Sequence, residues 1–164
     1  KLMLLMDSGG SMEPYYHLCS SLFQAVDRSN HFKDLRVYYF HNCFKRQFYK
    51  TPEIDPSDAV STEWMLNNFG SDYKVIVVGD AQMSPRELTG GYLPGRELST
   101  TGLTWLRRFK QRYPRFIWFT PSDNDPIEHS FWGQSYGIIK KEVPIMPLTV
   151  DNLAAAVKKL LVTR

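Results

Sequence analysis

A chain of 164 residues with 43% hydrophobic and 14% aromatic content closes one hydrophobic core and has too little material for two domains. Twenty basic side chains against 17 acidic ones leave a formal charge of +3, which excludes the large basic excess of a nucleic-acid or anionic-membrane binder. Two cysteines, Cys19 and Cys43, are too few for a disulfide scaffold, and neither a signal sequence nor an apolar run of about 18 residues appears, so a cytoplasmic domain without a membrane span is expected.

The first residues, KLMLLM, already read as strand, so residues 1–164 are expected to be one domain of a natural chain that extends further N-terminally. The apolar run 2–6 has strand length and no alternation, the pattern of a strand covered on both faces. From Pro14 a helical stripe follows at Tyr15, Leu18, Cys19, Leu22, Ala25 and Val26. LRVYYF (35–40) is a second strand, HNC a tight turn, and FKRQFY (44–49) an antiparallel edge strand carrying Lys45 and Arg46. KTPEIDPSD (50–58) is loop. Thr62 opens a helix to Phe69, KVIVVG (74–79) is a buried strand, and MSPREL (83–88) begins a short helix. Leu103, Leu106 and Phe109 share a helix face, and RFIWF (115–119) and VPIM (143–146) are strands. A last helix carries Val150, Leu153, Ala154, Val157, Leu160 and Leu161. Residues 120–142 lack periodicity and read as a long irregular connection, packed down by Phe131 and Trp132. Strands alternating with helices predict an α/β, doubly wound fold: a mostly parallel central sheet, helices on both faces and one antiparallel edge strand.

In such sheets ligands bind beyond the carboxyl ends of the strands. The first strand ends in Asp7-Ser8-Gly9-Gly10-Ser11, the strand 74–79 ends in Gly79-Asp80, and Thr62 begins a helix between them. Two carboxylates and several hydroxyls therefore converge on one rim. Such hard oxygens suit Mg²⁺, Mn²⁺ or Ca²⁺, whereas zinc prefers nitrogen and sulfur. Each group also has a plainer role: Asp7 and Asp80 as turn formers, Thr62 or Ser61 as a helix cap. His17-x-Cys19 and His41-x-Cys43 invite a zinc reading, but residues two apart on a helix point in different directions, so His17 and Cys19 do not easily reach one ion, and both cysteines read as packed small hydrophobes. The run Arg107, Arg108, Lys110, Arg112 and Arg115 reads as a solvated helix face. The dinucleotide fingerprint G-x-G-x-x-G is absent, and Asp7 would repel a pyrophosphate.

MDSGGSM resembles the first loop of von Willebrand factor A (integrin I-like) domains, whose metal-ion-dependent adhesion site reads Asp-x-Ser-x-Ser. YFHNC, the Thr62 helix, VVGDAQMSPREL, GLTWLRRFKQRYPRFIWF and PIMPLTVDNLAAAV extend the resemblance over nearly the whole chain, to the bacterial CoxE-like group. The resemblance implies a Rossmann-like fold and assigns Asp7 and Ser11 to the first loop, Thr62 to the second and Asp80 to the third as ligands of Mg²⁺, Mn²⁺ or Ca²⁺. Gly9 stands where that motif has its middle serine, one direct hydroxyl fewer. It further implies binding rather than catalysis. An open metal position accepts an Asp or Glu of a protein partner, and the CoxE-like group suggests a chaperone-adaptor role with a MoxR-type AAA+ ATPase. The alternative from the residues is a Mg²⁺-dependent phosphohydrolase with Asp7 as nucleophile. Against it, Gly9 occupies the position of the acid/base aspartate, and no lysine is placed for the transferring phosphate.

Overall fold

The computed structural model describes residues 1–28, 32–90, 101–121, 125–127 and 129–161. Its strands are β1 (Leu2–Asp7), β2 (Leu35–Phe40), β3 (Gln47–Tyr49), β4 (Ala59–Ser61), β5 (Lys74–Val78), β6 (Phe116–Thr120) and β7 (Ile145–Pro147). They form one seven-stranded sheet in the order β4-β3-β2-β1-β5-β6-β7. β1 pairs in parallel with β2 and β5, β5 with β6, and β6 with β7, while β3 runs antiparallel to both neighbours. The antiparallel strand expected at this edge is present, shortened to three residues. Lys45 and Arg46 precede it rather than lie on it, and β4, which no hydrophobic pattern announces, covers its outer side.

The helices are α1 (Tyr16–Arg28), α2 (Thr62–Asn68), α3 (Pro85–Thr89), α4 (Gly102–Arg112), α5 (Phe131–Glu142) and α6 (Val150–Leu161). Alternation along the strands divides the core in two. Met3, Leu5, Val75, Val77, Phe116 and Trp118 face α2, α4 and α5 through Met65, Phe109 and Ile139. Leu4, Met6, Ile76, Val78, Ile117 and Phe119 face α1 and α6 through Cys19, Leu22, Val26 and Leu160. Both faces of the parallel strands are thus covered, which is why their sequences are continuously apolar. Burial of these side chains is the main stabilising term of the fold.

Three expectations need correction. The second half of the stretch 120–142 is not irregular: α5 occupies Phe131–Glu142, capped by Ser130, whose hydroxyl accepts from Gly133 N at 2.9 Å. Its buried side is Gly133, Ser135, Tyr136 and Ile139, too small and polar to register as an apolar stripe. Phe131 and Trp132 do not pack it down; they are 54% and 51% exposed. In α1 the chain first makes a 3-10 turn over Gly10–Tyr15 containing Pro14, and the buried residues are Cys19, Leu22 and Val26, leaving Leu18 and Ala25 exposed. In α6 the buried positions are Ala156 and Leu160 while Val150 and Ala154 are exposed; the side chains of Val157 and Leu161 lie outside the described residues.

The basic run is consumed by the fold itself. Arg107 pairs with Glu142, Arg108 with Glu63, Arg112 donates to Phe69 O and Arg115 to Leu160 O. Among the described residues no helix is long and apolar enough to cross a membrane.

Candidate metal centre

The chain reverses its direction of sheet growth between β1 and β5: β2 lies on one side of β1, and β5 on the other. Parallel α/β sheets open a crevice at such a point, outside the carboxyl ends of the strands. Met6 is level with Val78, so Asp7, the last residue of β1, and Asp80, just beyond β5, stand at this crevice on adjacent strands. Both are buried.

Asp7 is held by backbone. Its Oδ1 accepts from Gly9 N at 2.8 Å and from Asn42 N at 3.0 Å. Ser8 continues the turn, with its N–H and hydroxyl both on Phe40 O. Oδ2 of Asp7 is buried and has no hydrogen-bond partner among the described residues. A side chain on Gly79 would place its Cβ 3.4 Å from that oxygen, so the glycine keeps the space beside it open. Burial pushes the Asp7 carboxyl up to about 6; the two backbone N–H groups oppose this, and the charges of Asp80 and Glu87 add to it.

Asp80 is fixed differently. Its Oδ1 accepts from Gln82 N at 2.9 Å, closing a turn in which Ala81 takes the left-handed conformation (φ 56°). The turn-forming role is therefore real for this residue. Trp118 Nε1 donates to Gly79 O at 2.9 Å, and Ser135, fully buried on α5, donates to Met83 O at 2.6 Å, pinning the third loop at both ends. Ser135→Ala leaves the Met83 carbonyl without its donor in a buried site, and a loss of about 1–3 kcal/mol is expected in a denaturant melt.

Thr62 and Ser11 stand at different depths. Ser61, not Thr62, caps α2, accepting from Trp64 N at 3.3 Å. Thr62 is fully buried, and its hydroxyl donates to Lys45 O at 2.6 Å, which leaves its lone pairs unused. Ser11 is exposed on the 3-10 turn after the first loop. Among the described residues no hydrogen bond joins Ser11 or Thr62 to either carboxylate. The link between them is the loop after β2: it supplies Asn42 N–H to Asp7 and the Lys45 carbonyl to Thr62. Asn42 and Glu87, which is paired with Lys45 at 2.8 Å, are neighbours of the site that the sequence pattern did not single out. Asn42 was visible only as the middle of a turn, and Glu87 as one charge of a short helix.

The donor set fits a hard divalent cation. A buried carboxylate oxygen with no donor among the described residues, under the charges of Asp80 and Glu87, is stabilised by a proton or by a cation. Among the described residues no three His, Cys, Asp or Glu side chains are grouped to hold a metal, so such a centre would combine Asp7 and Asp80 with hydroxyl oxygens. Zinc is disfavoured: His17 and His41 are exposed, while burial pushes the Cys19 thiol up to about 11 and the Cys43 thiol up to about 12, away from the thiolate zinc requires. No protein-family model matches the chain, and no curated protein or solved structure matches it.

Proposed function

We propose that this domain is a metal-ion-dependent protein-interaction module of the von Willebrand factor A type, binding an Asp or Glu of a partner protein through a cation held by Asp7, Ser11, Thr62 and Asp80. The observation that carries this reading is the position of the exposed apolar side chains. Among the described residues, every large apolar side chain that is well exposed lies near the start of a helix that follows a carboxyl end of the sheet. Tyr16 and Leu18 open α1, Trp64 opens α2, Ile127, Phe131 and Trp132 precede or open α5, and Val150 opens α6. They lie toward the same end of the sheet as Asp7 and Asp80, and Tyr16 shares a cavity wall with Asp7. Clustered exposed aromatic and aliphatic groups mark surfaces that become covered by another protein.

The chemistry at the centre agrees with that reading. A hard cation bound there supplies an open coordination position for a carboxylate oxygen. Beside Asp7 and Ser8 a cavity of about 150 Å³ opens between the first loop and α1, walled by Met6, Tyr16, Cys19, Phe23 and Tyr39. A void of that size takes a benzene-sized apolar group, so it has room for an apolar side chain of the partner. The resemblance to CoxE-like proteins favours a AAA+ ATPase as partner and Mg²⁺ as the ion.

The experiment is capture of partners from a cell extract on the immobilised protein, in Mg²⁺ and in EDTA, with Asp80→Ala alongside. Partners retained only in Mg²⁺ and lost with Asp80→Ala support the module. Retention unaffected by both changes places binding elsewhere. Turnover of a phosphomonoester in Mg²⁺, abolished by Asp7→Asn, would replace this reading with the phosphohydrolase.

A further inference from the structure

We propose that the side-chain amide of Asn42 supplies the oxygen that the first loop lacks, so that Asn42 Oδ1 joins Asp7, Ser11, Thr62 and Asp80 as a donor to the cation. This inference rests on the metal-dependent reading above and concerns which residues complete the site.

Gly9 has no torsional reason to be glycine. Its φ of −63° and ψ of 157° are open to any residue. The reason is space. A Cβ built on Gly9 falls 2.3 Å from Asn42 Oδ1 and 3.1 Å from Asp7 Oδ1. The amide oxygen therefore already fills the volume that a side chain at position 9 would need. A serine side chain there would contend for the same volume, so an amide oxygen delivered from the loop after β2 stands where the first loop would otherwise carry a hydroxyl.

Asn42 is built to deliver it. The residue sits in the left-handed region (φ 58°), which asparagine tolerates better than most non-glycine residues. Its own N–H is fixed on Asp7 Oδ1 at 3.0 Å. Among the described residues its side-chain amide has no hydrogen-bond partner. Asn42 Oδ1 and Asp7 Oδ1 thus both border the first loop at Gly9; the Asp7 oxygen already takes the N–H groups of Gly9 and Asn42, while the amide oxygen, like Asp7 Oδ2, has no donor among the described residues. A side-chain amide oxygen without a donor, carried by the residue whose N–H holds the Asp7 carboxylate, is the kind of group a hard cation takes up, since such oxygens are ordinary ligands of these ions. The competing explanation is that Asn42 only makes the turn. Glycine would serve that purpose equally well, keeping the N–H on Asp7 while removing the amide.

The test is calorimetric titration of MgCl₂ and MnCl₂ into the wild type, Asn42→Gly, Gly9→Ser and the double variant, with the melting temperature of each in EDTA. The wild type binds, and Asp80→Ala weakens it. Asn42→Gly is expected to lose about tenfold or more in affinity, on the scale of removing a supporting group at a metal site, with its melting temperature in EDTA little changed. Gly9→Ser alone gains nothing, because hydroxyl and amide compete for one volume. The double variant recovers affinity to roughly the wild-type level, the hydroxyl replacing the amide it was exchanged for. Equal affinity of wild type and Asn42→Gly, with Asp80→Ala still impaired, reduces Asn42 to a turn former and leaves the metal reading intact. A wild type that takes up neither ion sinks both.

Discussion

In EDTA at pH 8, Asp7→Asn should be at least as stable as the wild type, and the fall in stability that Asp7 contributes between about pH 4 and pH 6 should be missing from its pH profile. The folded-state value of Asp7 is about 6 against an ordinary 3.8. Between those values the folded protein keeps a proton that the unfolded chain has released. The contribution of Asp7 to stability therefore falls as pH rises through that window and is level above it. The interval corresponds to about 3 kcal/mol that the ionised carboxylate takes from the apo fold at neutral pH. Asparagine keeps an oxygen for the N–H groups of Gly9 and Asn42. Its amide N–H₂ replaces the partnerless Oδ2, at a cost of about 1–3 kcal/mol for a buried donor left unmet. The two terms leave a net gain between zero and about 2 kcal/mol, and for a domain of this size about 2–4 °C per kcal/mol. Mg²⁺ should raise the wild-type melting temperature and leave the variant's unchanged. Parallel pH profiles for the two proteins in EDTA would show that the Asp7 carboxylate is not the group held out of solvent.

The stability withheld at Asp7 explains why the sequence was informative at this position. A strand that buries six consecutive residues ends on an aspartate whose Oδ1 serves the turn at Gly9 and the loop at Asn42, but whose Oδ2 is buried without a donor among the described residues. An ionisable group at that place departs from the local hydrophobic logic, and such departures concentrate at functional sites. Asp80 sends a weaker signal because it lies beyond the end of β5, in a turn with Gln82, rather than within an apolar strand. The parallel strands were legible for the same reason: covered on both faces, they are written as unbroken apolar runs. β4 and α5 were not. β4 is three residues whose role is to cover β3, and α5 packs through Gly133 and Ser135, where close approach rather than apolar area does the work. A side chain on Gly133 would place its Cβ 2.0 Å from the Ile127 carbonyl oxygen, a constraint that no hydrophobic period encodes. Asn42 and Glu87 were invisible because their proximity to Asp7 is created by pairing 35 residues apart and by a helix docked from another loop.

Gly102→Ala should cost about 2–3 kcal/mol and lower the melting temperature by roughly 5–10 °C, and Cys43→Ala should restore part of the loss. Gly102 is the first residue of α4, buried, and capped by Thr101, whose hydroxyl accepts from Thr104 N at 3.2 Å. Its backbone torsion does not require glycine; the packing does. An added Cβ would lie 2.0 Å from Cys43 Sγ, 3.2 Å from Phe44 O and 3.5 Å from Glu87 O. Two of those neighbours are backbone atoms of the loop after β2 and of α3, which can yield only by moving their segments. The third is a buried thiol with little room to rotate, since Phe44 beside it stacks on Trp118 at 5.9 Å. Removing Sγ relieves the worst contact and leaves the carbonyl of Phe44 to give by a few tenths of an ångström, so rescue is incomplete. The displacement does not stay in the core. Cys43 adjoins Asn42, whose N–H holds Asp7, and two residues on, the Lys45 carbonyl holds Thr62. Gly102→Ala should therefore weaken Mg²⁺ binding as well as stability, and Cys43→Ala in the same chain should restore both together. Strictly additive losses in the double variant would show that Gly102 and Cys43 do not meet, and that the α4 terminus does not brace the wall of the site.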